Sequence, residues 1–319
     1  MRPLLASLQQ TIYSLRLVGL LYGVTLVLGL LAALPFYRTL VVEDQNSLAF
    51  ENLLRGFNYT VYSDFMHRSE RTLAPLMSLG RWLGLLYVLL SVFFSGGILA
   101  RFSQFSTLRS TDSFSLGSFW QACSDYVGRF MRLFGVTLLA VLLGAGFWLI
   151  IGSLAGVAMS DTFTERGQFW TGFSFFALAA LTATLLFCIS DYAKVLMVRE
   201  DQKNAFQSFR RAGRLVLHNL GKTYGLYWLL IGIGTALFGV YFLLDDIILM
   251  RNWPTILLMF LIQQALIFVR VILKVWSLGI AYTVYEGLSK PVPILQPIPP
   301  TDSVTVATPS TNDSEPAVE

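Results

Sequence analysis

The segment ISDYAKVLMVREDQKNAFQSFRRAGRLVLHNLGK, residues 189–222, joins two long apolar runs and decides how the rest of the chain is arranged. It holds the densest basic patch in the protein: Lys194, Arg199, Lys203, Arg210, Arg211, Arg214 and Lys222. Ala205, Phe206, Phe209, Ala212, Val216, Leu217 and Leu220 recur at helical spacing, and the arginines fall elsewhere on the wheel. A basic amphipathic helix between two membrane spans belongs in the cytoplasmic headgroup layer, where anionic lipids attract it. Lys203, Arg210, Arg211, Arg214 and Lys222 are therefore candidate lipid-headgroup contacts, each worth about 1 kcal/mol against an anionic leaflet. The competing explanation is the general excess of Lys and Arg in cytoplasmic loops, expressed in one loop.

The composition agrees with a membrane setting. Hydrophobic residues make up 55% of the chain and charged residues 13%, where a soluble domain carries about 25% charge. Much of the surface is thus expected to face lipid. The net charge of +4 is accounted for by the loop bias that orients multispan proteins, so no nucleic-acid partner is expected. Cys123 and Cys188 lie in a predicted loop and in an apolar run, which predicts inert thiols and no disulfide. Arg2 and Arg16 precede an apolar run at 17–35, about 19 residues and too long for a signal h-region. That run reads as an uncleaved first span.

Six apolar stretches follow one another at about 17–35, 82–100, 133–158, 170–191, 224–244 and 254–276. Aromatics mark their edges: Trp82, Trp170 with Tyr192, Tyr224 with Tyr241, Trp253 with Trp276. The step from Trp170 to Tyr192, or from Trp253 to Trp276, spans roughly 33 Å of helix, about one bilayer core. Loops at 1–16, 101–132, 192–222 and from 277 on hold most of the Lys and Arg. Those at 159–169 and 245–252 are short and net acidic, and the loop at 36–81 is mixed. The positive-inside rule then places both termini in the cytoplasm. The reading is an all-α polytopic protein with a six-helix transmembrane domain over 1–288 and a disordered, proline-rich cytoplasmic tail over 289–319.

A second cytoplasmic helix is expected from Phe114, Leu116, Phe119, Trp120, Cys123, Tyr126, Val127, Phe130 and Met131, giving two interfacial amphipathic helices in all. Shifted by 90 residues, Ser118 and Phe119 fall on Ser208 and Phe209, Ala122 on Ala212, Gly135 on Gly225 and Gly144 on Gly234. A parallel repeat would produce these matches, and so would chance among common residues. In the loop at 36–81, Asn46 reads as a cap before a short amphipathic helix carrying Leu48, Phe50, Leu53, Leu54 and Phe57. FNYTVYSDF follows as a run of high β-propensity.

Ionisable residues inside spans are functional hypotheses by default, because lipid solvates them poorly. Gln263, Arg270 and Lys274 share a face of the sixth span, and Asp191 lies at a similar depth at the end of the fourth. Asp191 is therefore a candidate intramembrane ion-pair partner of Lys274 or Arg270. The alternative is that the two cations reach independently for phosphates. Asp64, His67 and Glu70 could gather on one helix face, but nothing like a metalloprotease motif supports them. There is no phosphate-binding glycine loop and no Gly-x-Ser-x-Gly elbow. No metal, cofactor or enzymatic activity is expected.

FNYTVYSDF at 57–65, SDYAKVLMVRED at 190–201 and the basic Phe209-Arg210-Arg211 helix resemble a group of uncharacterised bacterial six-span integral membrane proteins. That group is similar in layout to the membrane-only region of bacterial glycerophosphodiester phosphodiesterases. The resemblance runs to about residue 288 and implies a bacterial inner (cytoplasmic) membrane protein without the catalytic barrel of those enzymes. The leading expectation is a non-enzymatic interaction or membrane-organising protein, docking anionic lipids, a protein partner or a second copy through its basic helices. The alternative is a transporter or channel subunit with Asp191, Arg270 and Lys274 near its inner mouth.

Overall fold

A computed structural model describes residues 2–44, 59–60, 63, 70–108, 115–158, 164–248 and 252–288. No strand occurs among them. In chain order the helices are α1 (Arg2–Tyr13), α2 (Leu15–Asp44), α3 (Glu70–Leu108), α4 (Leu116–Ala158), α5 (Glu165–Arg199), α6 (Ala205–His218), α7 (Leu220–Ile247) and α8 (Trp253–Leu288). Six of the described helices, α2 to α5 with α7 and α8, are long and apolar enough to cross a membrane. Each contains one of the six apolar runs read from the sequence. A chain in lipid has no water to satisfy stray backbone groups, so uninterrupted helices are the expected solution.

The helices outrun the expected spans. α2 passes through Pro35 to Asp44, and α3 begins at Glu70 and passes through Pro75, so helix takes over both flanks of the expected 36–81 loop. Proline is tolerated there because neighbouring helices in a membrane re-satisfy the freed carbonyl. The proposed helix after Asn46, most of FNYTVYSDF, the residues Asp64 and His67 and the tail from 289 lie outside the described residues.

The first expected cytoplasmic helix is not a separate element. Residues 116–132 are the opening turns of α4, which runs unbroken to Ala158. Its counterpart does separate, because the helix stops at Asn219, whose φ of −123° and ψ of 37° leave the helical region. The Asn219 N–H still donates to the carbonyls of Leu215 and Val216 at 3.2 Å, and the Thr223 hydroxyl donates to the Asn219 carbonyl at 3.0 Å. The proposed 90-residue repeat thus meets one continuous helix in its first unit and two helices in its second. A short helix that sequence reading overlooked is α1. Ser7 and Thr11 on it and Ser14 in the turn that follows are buried, and each of their hydroxyls donates to a carbonyl three or four residues back. Self-satisfied hydroxyls can be buried at little cost. The indole of Trp276 on α8 donates to Ser7 Oγ at 3.1 Å and to the Leu4 carbonyl at 3.3 Å, which fastens α1 to α8.

Burial is concentrated at one end of the bundle. Leu17 and Val18 of α2, Ile98, Leu99 and Phe102 of α3, Phe119 to Leu133 of α4, Cys188 to Met197 of α5, Ala212 and Val216 of α6 and Val275 to Tyr285 of α8 form one cluster. Close approach there depends on glycine. A Cβ on Gly97 would lie 2.7 Å from Cys123 Sγ and against the Phe119 ring, and one on Gly279 would lie 2.7 Å from the Phe102 ring. Beyond this basal layer α4 and α7 bury little. None of the apolar window of α7 is buried in the protein, and 6% of that of α4.

Candidate functional site

The quoted segment lies in the basal layer, and its geometry follows from spacing. Ala205, Ser208, Ala212 and Val216 are three or four residues apart and form the buried face of α6. Small side chains let α6 lie close to α5; a Cβ on Gly213 would be 3.9 Å from Ile189. The opposite side holds Phe206, Gln207, Arg210, Arg211, Arg214, Leu217 and His218, all exposed. Phe206 is 69% exposed and Leu217 55% exposed. At 100° per residue the two share an edge of the helix, directly beside Arg210 and Arg214. Phe209, Gly213 and Leu217 with Arg210, Arg214 and His218 border an open depression along that edge. The result is an apolar edge flanked by a basic row.

The five candidate headgroup contacts do not all have the same freedom. Lys203, Arg210, Arg214 and Lys222 are exposed and make no ion pair among the described residues. Arg211 is committed in part, with its guanidinium 3.3 Å from Glu200. That pair belongs to a clamp across the turn between α5 and α6. The Tyr285 hydroxyl donates to Glu200 at 2.7 Å. Arg199 pairs with Glu286 at 3.0 Å and lies 5.7 Å from the centre of the Tyr282 ring. Arg129 of α4 pairs with Asp201, whose backbone sits at φ 49°, a conformation that costs a non-glycine residue free energy. The hydrogen bond from Arg129, and then its charge, hold the Asp201 carboxyl below its ordinary range. α4, α5, α6 and α8 are thereby tied at one turn. Sequence reading missed this clamp, since Glu200 and Asp201 look like ordinary loop acids; their tertiary partners lie 72 to 85 residues away.

The expected intramembrane ion pair forms differently. Asp191 is bonded to Lys194, one turn along the same helix, at 2.8 Å. An i,i+3 neighbour is reached without bringing two helices into register, so it wins over Lys274 and Arg270. Lys274 instead lies with its ammonium 5.2 Å from the centre of the Tyr87 ring, and Arg270 is exposed. Gln263 donates to the Tyr241 hydroxyl at 2.9 Å, and Gln264 accepts from the Tyr22 hydroxyl at 2.8 Å. These two bonds pin α8 to α7 and to α2. Asp191 borders a small crevice with Thr223, Tyr227 and Ser277, of about 10 Å³.

Among the described residues no group of three or more His, Cys, Asp or Glu side chains could hold a metal ion. Cys123 and Cys188 are free and buried. No protein-family model matches the chain, and neither the curated proteins nor the solved structures yield a match.

Proposed function

We propose that this is a non-enzymatic integral membrane protein that docks the anionic headgroup layer through α6 and organises the membrane, or a partner, around its basal end. The observation that carries the reading is the α6 edge, where exposed Phe206 and Leu217 lie beside Arg210 and Arg214. An apolar edge of that kind enters the acyl boundary while the arginines hold phosphates, and both contributions add. In this reading the basal layer faces the cytoplasm, with both termini on that side, in keeping with the distribution of Lys and Arg. The bacterial inner membrane is its proposed location, in line with the resemblance drawn above. A second copy or a protein partner would use the same surface.

The competing transporter or channel reading rests on Asp191, Arg270 and Lys274. It needs a water path past Asp191, and the crevice there has room for about one water. Extraction of the protein with its surrounding membrane in polymer discs, followed by native mass spectrometry, tests the docking reading. Anionic lipid enriched around the wild type and lost from the R210A/R211A/R214A variant supports it. A lipid shell of bulk composition in both proteins overturns it.

A further inference from the structure

Arg210 and Arg214 are one turn apart on α6, which separates them by about 6 Å along the helix axis. Both are exposed and make no ion pair among the described residues, whereas Arg211 between them is drawn aside to Glu200. A guanidinium can hold a phosphate through two parallel N–H···O bonds. The row therefore offers two phosphate positions at one fixed separation. Two single-phosphate lipids fill such positions as independent events. A lipid that carries two phosphates on one glycerol fills the second position from within the same molecule, at the high effective concentration of a short tether.

The apolar edge beside the row is notched at the same level. Phe209, Gly213 and Leu217 follow one another at four-residue spacing, so the two large side chains stand about 12 Å apart along the axis with none between them. Gly213 lies level with the gap between Arg210 and Arg214. The nearest atoms to a Cβ on Gly213 belong to Ile189 of α5, at 3.9 Å, so the notch is floored by packed helix. Row and notch together border the open depression, about 570 Å³ in volume, with His218 at its far end. An open depression of this size seats a headgroup against the helix and lets its chains leave sideways. The chain nearest the helix crosses the apolar edge at Gly213 and meets neither Phe209 nor Leu217 head-on.

We propose that this depression is a site for one phospholipid bearing two phosphates, held by Arg210 and Arg214, with an acyl chain passing over Gly213. The proposal rests on the docking of α6 in the headgroup layer and names the lipid class that this surface selects.

Native mass spectrometry of the protein in detergent micelles tests it, with diphosphatidylglycerol, phosphatidylglycerol and phosphatidylcholine supplied at equal phosphate. One diphosphatidylglycerol per wild-type chain is expected, preferred about fivefold over phosphatidylglycerol, the gain from one further phosphate beside an arginine. R214A removes that preference, because one phosphate position is lost. R132A deletes an exposed cation of α4 and keeps it. G213L fills the notch and lowers diphosphatidylglycerol occupancy with both arginines in place. Equal binding of the two anionic lipids, both above phosphatidylcholine, overturns this proposal and leaves docking by α6 standing. Equal binding of all three overturns both. A loss in R132A that matches R214A reduces the preference to total charge, and unchanged occupancy in folded G213L removes the notch; either result overturns the proposal. If G213L does not fold, R214A and R132A decide.

Discussion

α4 is two helices in one chemical sense. In its first half Phe119, Cys123, Phe130, Leu133 and Thr137 are buried, whereas in its second half Leu139, Leu142, Leu143, Phe147 and Ile150 stand exposed. The first half packs against α3, α5 and α6 in the basal layer, and the second, among the described residues, packs against α5 alone and leaves its remaining apolar surface exposed. Where water borders the chain, apolar side chains gain free energy only by burying one another, so the basal layer packs like a soluble core. Where lipid borders it, a leucine loses little by facing outward, and helices need touch only at a few points. Gly152 is one such point, where a Cβ would come within 2.6 Å of Phe175. The bond from the Trp148 indole to the Thr182 hydroxyl at 3.0 Å is another.

The largest effect that separates the two halves comes from truncating one large side chain in each. F130A should cost about 3–5 kcal/mol, the range for emptying a packed aromatic site. L143A, on the lipid side of the same helix, should change stability by less than about 0.5 kcal/mol. Thermal unfolding in one detergent measures both, and similar losses from the two would erase the distinction. Glycine substitutions give the next contrast. G97A forces a Cβ against the Phe119 ring and Cys123, and should cost about 1–3 kcal/mol. G146A meets nothing within 4 Å and should gain up to about 1 kcal/mol from lower chain entropy in the unfolded state. A neutral G97A would show that the basal layer is looser than its distances imply.

Smaller effects probe the clamp at the turn between α5 and α6. Y285F removes the hydroxyl that donates to Glu200 and should cost about 1 kcal/mol, with α6 amides exchanging faster and the membrane halves unaffected. Hydrogen exchange reads both regions in one experiment. The Arg129 bond depresses the Asp201 carboxyl below its ordinary value near 3.8. The stabilisation this provides is complete above that value and is lost only as pH falls through the lower folded one. Unfolding midpoints of wild type and D201N should therefore differ from pH 7 down to about pH 4 and converge only below it. Equal midpoints already at pH 7 would mean that the pair contributes nothing.

The six spans were legible because lipid selects long apolar runs regardless of tertiary detail, as the runs at 133–158 and 224–244 illustrate. α1 was not. Its buried side is Ser7 and Thr11, continued by Ser14 in the following turn, and hydroxyls that satisfy their own backbone look like solvent-facing polarity when read one residue at a time. Trp276 was read as a belt aromatic and instead reaches Ser7 through its indole. Asp191 was assigned a partner across helices, while Lys194 lay within reach on its own. The basic row of α6 was legible from spacing alone. Its division into Arg211, held by Glu200, and Arg210 with Arg214, unpaired among the described residues, needed the turn geometry that Asp201 and Asn219 set.

Membrane docking by α6 is tested most directly with spin labels. Cys123 and Cys188 are buried, so cysteines introduced by F206C, Q207C and L217C can be labelled selectively. Power-saturation depth is then compared in bilayer discs with and without anionic lipid. The account predicts that labels at 206 and 217 lie in the acyl boundary and that the label at 207 stays in water. It also predicts that the depth at 206 and 217 decreases when Arg210 and Arg214 become alanine. Labels at all three positions equally open to water in anionic discs would contradict it.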